Sequence, residues 1–297
     1  MNAIRRTASE KLFDFINVFL VLFILLVILY PLLFVIFASV SDPRLMFEHP
    51  LLLWPKGFNL NSYAKVFENK DIWMSYKNTI LYTFVGTTVN IIMTMIGAYP
   101  LSRRHFYGKG IFTFLFTFTM FFSGGLIPSY LVNKQLGIVN TMWVLVLPGA
   151  VSVFNLIIMR TYFQTRIPVE LEESAYVDGA NDFHLLYKVV LPLSTPIIAV
   201  MLLFYGVGHW NSYFEAMIYL SDRSLFTLQL ILREILVQNQ MDSMLSVSVD
   251  EQYAERMIVK EGLKYAVVVV SSLPLLIIYP MLSKFFEKGI LVGAIKG

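Results

Sequence analysis

The sequence predicts an all-α integral membrane protein that crosses the bilayer six times. Three observations predict it: the composition, the length of the apolar runs, and the placement of Lys and Arg between them. Of 297 residues, 57% are hydrophobic and only 14% charged, against about 25% charged in a soluble domain. A spanning helix needs about 20 mostly apolar residues, and six segments qualify: 16–38, 78–100, 111–131, 141–159, 194–215 and 263–283. The net charge of +3 is small and forms no basic stripe, so nucleic acid is not an expected partner. The absence of cysteine excludes disulfides, thiolate metal sites and Cys nucleophiles. The four histidines, His49, His105, His184 and His209, include no two at the spacing of helical metal ligands.

The basic residues 1–11 lead into the first run, which is too long for a signal-peptide core and is followed by no clean cleavage site, so an uncleaved first helix is expected. The loop 39–77 carries a turn signal, Trp54-Pro55-Lys56-Gly57, and a short amphipathic stretch at 63–67. The third run is interrupted by Ser123-Gly124-Gly125 and Pro128. Such a break either lines a cavity or kinks a helix for packing, and the sequence leaves both open. The short loop 101–110 holds Arg103, Arg104 and Lys109, while the short loop 132–140 holds only Lys134. The excess of basic residues marks the cytoplasmic side, so loop 101–110 lies inside and both termini are cytoplasmic. Arg5, Arg6, Lys11, Lys284, Lys288 and Lys296 agree with this. No repeat or separate soluble domain interrupts residues 1–297, which form one transmembrane domain with an inner loop at 160–193.

That loop carries the strongest signal. Residues 167–192 read IPVELEESAYVDGANDFHLLYKVVLP. Pro168 suits the first position of a helix, and Glu170, Glu172 and Glu173 follow where the helix dipole favours acids. Leu171, Ala175 and Asp178 recur at helical spacing, and Gly179 supplies a left-handed end. Asn181 and Asp182 can cap a second short helix over 183–190 that stops at Leu191-Pro192. A helix resting on lipid headgroups would favour Lys and Arg on its polar face. This face is acidic, which suits a basic cleft on a protein partner.

The loop resembles a motif of the permease subunits of bacterial ATP-binding-cassette (ABC) importers: Glu-Ala-Ala, three residues, Gly, nine residues, Ile-x-Leu-Pro. Here Glu173-Ser174-Ala175 precedes Gly179 by three residues, and nine residues later stand Val189-Val190-Leu191-Pro192. Ser174 for Ala and Val189 for Ile are mild departures. The longer pattern 168–180 looks like the carbohydrate-uptake branch. Segments 118–128, 147–163 and 206–214 are similar to a subgroup that handles oligosaccharides from complex or uronate-containing polysaccharides such as alginate and pectin.

The resemblance implies a type I importer permease fold and a set of partners. These are a second permease, two ATPase subunits and an extracytoplasmic sugar-binding protein, in the bacterial cytoplasmic (inner) membrane. It implies that the helix at 169–179 couples to the ATPase. Glu170, Glu172, Glu173, Ser174, Ala175, Asp178, Gly179, Leu191 and Pro192 are the candidate coupling residues. The sequence contains no Gly-x-x-x-x-Gly-Lys-[Ser/Thr], and Gly108-Lys109-Gly110 is not one. ATP and Mg therefore belong to the partner ATPase, and this chain is expected to bind no cofactor and to be no enzyme. The tail 287–297 is similar to tails that reach the ATPase in some members, or is simply solvated.

Sugars are bound by aromatic faces and by amide or carboxyl groups on their hydroxyls. The candidates are Trp143, Asn155, Tyr205, His209, Trp210, Asn211 and Tyr213, with Glu215 beside them. Trp and Tyr at span ends also form interfacial belts. Arg160, near an inner span end, is expected to snorkel. An ion-coupled transporter would want ionisable relays within the spans, which apart from His209 and Glu215 are almost free of them. A permease for a simple sugar or polyol remains the closer alternative.

Overall fold

The computed structural model describes residues 7–48, 51–245 and 251–294. His49, Arg5, Arg6 and Lys296 lie outside them. Among the described residues the elements are helical throughout. The first four are α1 (Ala8–Ser39), α2 (Pro43–Glu48), α3 (Asn61–Glu68) and α4 (Lys70–Ser102). Then come α5 (Lys109–Phe121), α6 (Leu126–Gln135), α7 (Trp143–Val146), α8 (Val153–Arg166) and α9 (Val169–Val177). The last are α10 (Asp182–Leu193), α11 (Thr195–Trp210), α12 (Phe214–Tyr219), α13 (Leu228–Leu245) and α14 (Glu251–Ala294).

Among the described residues three helices are long and apolar enough to cross a membrane: α1, α4 and the 260–281 part of α14. Two further candidates are bent pairs, α5 with α6 at 115° and α10 with α11 at 81°. The first bend falls at the expected Ser123-Gly124-Gly125 interruption, and Pro128 sits within the first turn of α6, where its missing N–H breaks no helical bond. The expected fourth span, 141–159, is not one helix. α7 is four residues long, the chain then leaves helical geometry around Pro148-Gly149, and Ser152 caps a new start by accepting from the Asn155 N–H. The apolar run was real, but proline cannot supply the bond that a continuous helix needs there.

The chain divides into two compact units, residues 1–69 with 234–271 and residues 70–233 with 272–297. In the first unit α1 opens with a capping box. Thr7 Oγ1 accepts from the Glu10 N–H, and the Glu10 carboxylate accepts from the Thr7 N–H. Its far end is tied to α3, where Ser39 Oγ donates to the Ile36 carbonyl at 2.7 Å and meets Tyr63 OH at 2.8 Å. The amphipathic stretch 63–67 falls within α3, and the expected turn at 54–57 is a non-helical bend in which the Asp42 N–H donates to the Lys56 carbonyl.

The second unit is built on α4, which packs against α8 and α11. Ala98, Leu101, Leu156, Met159, Phe163, Met201 and Tyr205 form the shared core. The buried side of α4 is unusually polar, with Ser75, Asn78, Thr79, Thr87, Asn90 and Thr94. Asn78, Thr79, Asn90 and Thr94 bind other segments. Asn78 donates to the carbonyls of Ser224 and Phe226, and Thr79 Oγ1 accepts from the Leu228 N–H at 2.8 Å. In a bilayer, where lipid offers polar groups no partner, such bonds favour one helix arrangement over another.

Candidate functional site

Two sites form in the second unit. The first is the loop helix α9. Pro168 stands one residue earlier than expected, as its N-cap, with φ −60° and ψ 140°. Glu170 and Glu172 fall in the first turn. The helix ends in a Schellman arrangement: the Gly179 N–H donates to Tyr176 O at 3.0 Å and the Ala180 N–H to Ala175 O at 2.9 Å, with Gly179 at φ +81°. Asn181 then caps α10 by accepting from the His184 N–H at 2.8 Å. α10 does not stop at Leu191-Pro192. It widens to π geometry over 186–190, runs through Pro192 to Leu193, and breaks at Ser194.

The loop is clamped to the end of α4. Arg103 Nη1 lies 2.6 Å from Glu172 Oε2, with the two side chains only 11% and 16% exposed. The Arg103 guanidinium also sits over the Tyr99 ring, 4.8 Å from its centroid. Tyr99 OH donates to the Asp182 carbonyl at 3.3 Å, and Tyr176 OH donates to the Asp182 carboxylate. That last bond raises the Tyr176 phenol above its ordinary pKa, with burial adding to the shift. Ala175, Leu185 and Val190 anchor the loop in the core. Of the expected coupling residues, Glu172 therefore turns inward, while Glu170, Glu173, Ser174, Asp178, Gly179 and Pro192 are exposed and Leu191 is half-buried. Val177, 88% exposed, and Phe183, 83% exposed, add an apolar component to the outer face.

The second site is a cavity of about 1080 Å³ beside the break between α7 and α8. The backbone of that break is satisfied by side chains from α4 and α11. Asn90 Nδ2 donates to the Gly149 carbonyl at 2.6 Å, and Tyr205 OH accepts from the Ser152 N–H at 3.2 Å. Tyr205 OH also meets Thr94 Oγ1 at 2.6 Å. Asn90 Oδ1 lies 2.6 Å from His209 Nε2. An amide oxygen can only accept, so His209 carries a proton on Nε2 in this contact. Irregular backbone at membrane depth is tolerated where it is satisfied this way or lines a cavity.

The cavity gathers Asn155, Tyr205 and His209 from the expected sugar-pathway residues, together with Glu215. It does not gather Trp143, Trp210, Asn211 or Tyr213. Trp143 is 43% exposed elsewhere, and Trp210 is buried edge-on against Tyr76. Asn211 donates to its own helix at the Val207 carbonyl, and Tyr213 packs near Arg233 and Phe214. Among the described residues no group of His, Asp or Glu is arranged to hold a metal ion.

No protein-family model matches the chain. It is 40% identical to the polygalacturonan/rhamnogalacturonan transport system permease protein YtcP of Bacillus subtilis, over 97% of this chain and all of that one. It is 37% identical to the protein LplC of the same organism, over 100% of this chain and 99% of that one. A crystal structure of a bacterial ABC transporter involved in the import of the acidic polysaccharide alginate contains a similar chain. There the TM-score is 0.86 and the identity 32%, covering 96% of this chain and all of that one. The chain belongs to the ABC sugar-importer permeases.

In this permease the residues that sequence reasoning missed are Asn90, Thr94 and Arg103. A signal for the first two was present: Ser75, Thr79, Asn90 and Thr94 recur on one face of an apolar run. Gly86 belongs to the same face. A Cβ there would collide with the imidazole of His209. Gly86→Ala is expected to push His209 off Asn90 and into the cavity. Uptake should fall at least several-fold with the membrane level of the protein unchanged. Normal uptake by that variant would show that the Asn90–His209 contact carries no functional weight.

Proposed function

We propose that this permease forms half of the translocation pathway for an oligosaccharide of the uronate-containing type, alginate- or pectin-like. A solute-binding protein delivers the sugar, and ATP hydrolysis on separate ATPase subunits, which hold ATP and Mg, drives its passage. The observation that carries this reading is the cavity beside the broken α7–α8 segment, where a few amides, hydroxyls, an imidazole and a carboxylate stand on a largely apolar wall. Its size suits a sugar of more than one residue, since drug-sized ligands occupy roughly 300–1,000 Å³. The names of the similar proteins, which concern galacturonan and alginate transport, support the acidic class. The lining offers amides, hydroxyls, an imidazole and Glu215. These groups suit sugar hydroxyls better than carboxylates, so the reading puts carboxylate recognition on a second, different permease.

The bent pairs count as one span each in this reading, and the broken 141–159 segment with α8 as another. That gives six crossings in the bacterial inner membrane with both termini and α9 in the cytoplasm. The outer face of α9 then docks on the ATPase through Glu170, Glu173, Asp178 and Val177, with Glu172 holding the helix in place. When ATP closes the ATPase pair, the helices move as rigid bodies and the cavity changes its open side. The backbone of the tail 287–294 is helical, but its side chains and residues 295–297 lie outside the described residues.

The test is purification of the tagged protein from its native membrane with mass spectrometry of what accompanies it. An ATPase and a second permease are expected. ATPase activity of the recovered complex should rise with the loaded binding protein and uronate oligosaccharides. Recovery of the chain alone, in detergents that preserve such complexes, would overturn the reading.

A further inference from the structure

The loop between α4 and α5 also builds a pocket. Arg103, Arg104 and Lys109 line it with Gln164 and Glu172 in a volume of about 140 Å³. Arg160 lies outside the lining, donating from Nε to the Leu101 carbonyl at 3.2 Å. Arg160 and Arg103 are close enough to Lys109 for their charges to repel its own. Three cations thus line a pocket that holds a single carboxylate, and Glu172 is already bound to Arg103 at 2.6 Å. Lys109 Nζ reaches only the Arg103 carbonyl, at 3.4 Å. Among the described residues no carboxylate pairs with Arg104, Lys109 or Arg160.

Crowding like charges in a half-buried pocket is unfavourable unless an anion joins them. We propose that this pocket binds a phosphate group, and that the group is the headgroup of an anionic phospholipid. The lipid source follows from what lies next to it. α5 leaves the pocket directly into exposed apolar side chains, with Ile111 68%, Phe112 47% and Phe114 67% exposed. Acyl chains can lie along this face while the phosphodiester reaches Lys109 and Arg104. Basic pockets between helices on the cytoplasmic side are a recurring way of holding such headgroups. Occupancy would neutralise the cations beside the Arg103–Glu172 pair, and so hold the end of α4 against α9.

The experiment titrates the delipidated, purified permease, with the subunits it carries, against phosphatidylglycerol, phosphatidylcholine or inorganic phosphate, and reads the shift in Tm. Phosphatidylglycerol is expected to raise Tm saturably, and phosphatidylcholine to leave it unchanged. In the double variant Arg104→Gln/Lys109→Gln the apparent affinity for phosphatidylglycerol should drop roughly 30-fold, the worth of two surface cations against an anionic headgroup. The charge-preserving pair Arg104→Lys/Lys109→Arg should keep it, which separates lost binding from lost folding. A Tm rise with inorganic phosphate equal to that with the lipid would overturn the lipid source and assign the pocket to a free phosphate. A neutral-lipid effect of equal size, or an undiminished response in the Gln variant, would overturn the site itself.

Discussion

Gly179→Val is expected to abolish transport while the protein still inserts at its normal level. Gly179 sits at φ +81°, and its N–H and that of Ala180 close the end of α9 on the carbonyls of Tyr176 and Ala175. No atom lies within 4 Å of where a Cβ would stand, so the penalty is conformational and not steric. An L-residue in the left-handed region loses about 1–2 kcal/mol, and a β-branched one more. The chain would relieve that strain by unwinding the last turn of α9. That would displace Glu173, Asp178 and Val177, the groups proposed to meet the ATPase. Asn tolerates the left-handed region best after glycine, so Gly179→Asn should retain much of the activity, with Gly179→Ala between the two. Uptake of labelled oligosaccharide, set against the amount of protein in the membrane, measures the series. Equal activity across it would end the assignment of α9 as the coupling element.

Glu172→Gln is expected to uncouple the transporter by a different route. It leaves the outer face of α9 chemically intact and removes the charge that meets Arg103. A guanidinium only 11% exposed then lacks its counter-charge. Breaking a buried pair from one side costs ~3–5 kcal/mol, and the residual exposure here places the loss near ~3 kcal/mol. The consequence should be low uptake with a residual ATPase rate that no longer responds to the loaded binding protein. Reversal of the pair, Arg103→Glu with Glu172→Arg, should restore part of the response, and a double-mutant cycle would give the coupling energy. Additive effects of the two single substitutions would mean that the pair does not position α9.

Much of this was legible because it is written in local chemistry. The break at Ser123-Gly124-Gly125 and the left-handed turn at Gly179 follow from residue types alone, and so does the cap at Asn181. Long apolar runs marked α1, α4 and α14 for the same reason. The span expected at 141–159 is broken because Pro148, inside the apolar run, lacks the N–H donor that a continuous helix needs there. The inward turn of Glu172 was not legible, since its partner Arg103 is 69 residues away in sequence. The cavity separated Asn155, Tyr205 and His209 from Trp143, Trp210, Asn211 and Tyr213 by helix rotation. A list of residue types does not contain that information, and sequence reasoning grouped all seven.

The polar side of α4 bears on how the chain is made. α1 is the most apolar of the three long candidate spans and α4 the least, so α1 can partition into lipid unaided. α4 emerges next with Asn90 and Thr94 unsatisfied. Their partners, Gly149, Tyr205 and His209, follow 59, 111 and 119 residues later. At bacterial synthesis rates that wait is on the order of ten seconds. During it, α4 must be sheltered by the insertion machinery or lie at the surface of the bilayer. Biogenesis of this chain is therefore governed less by the apolarity of each helix than by how long α4 must wait for α11.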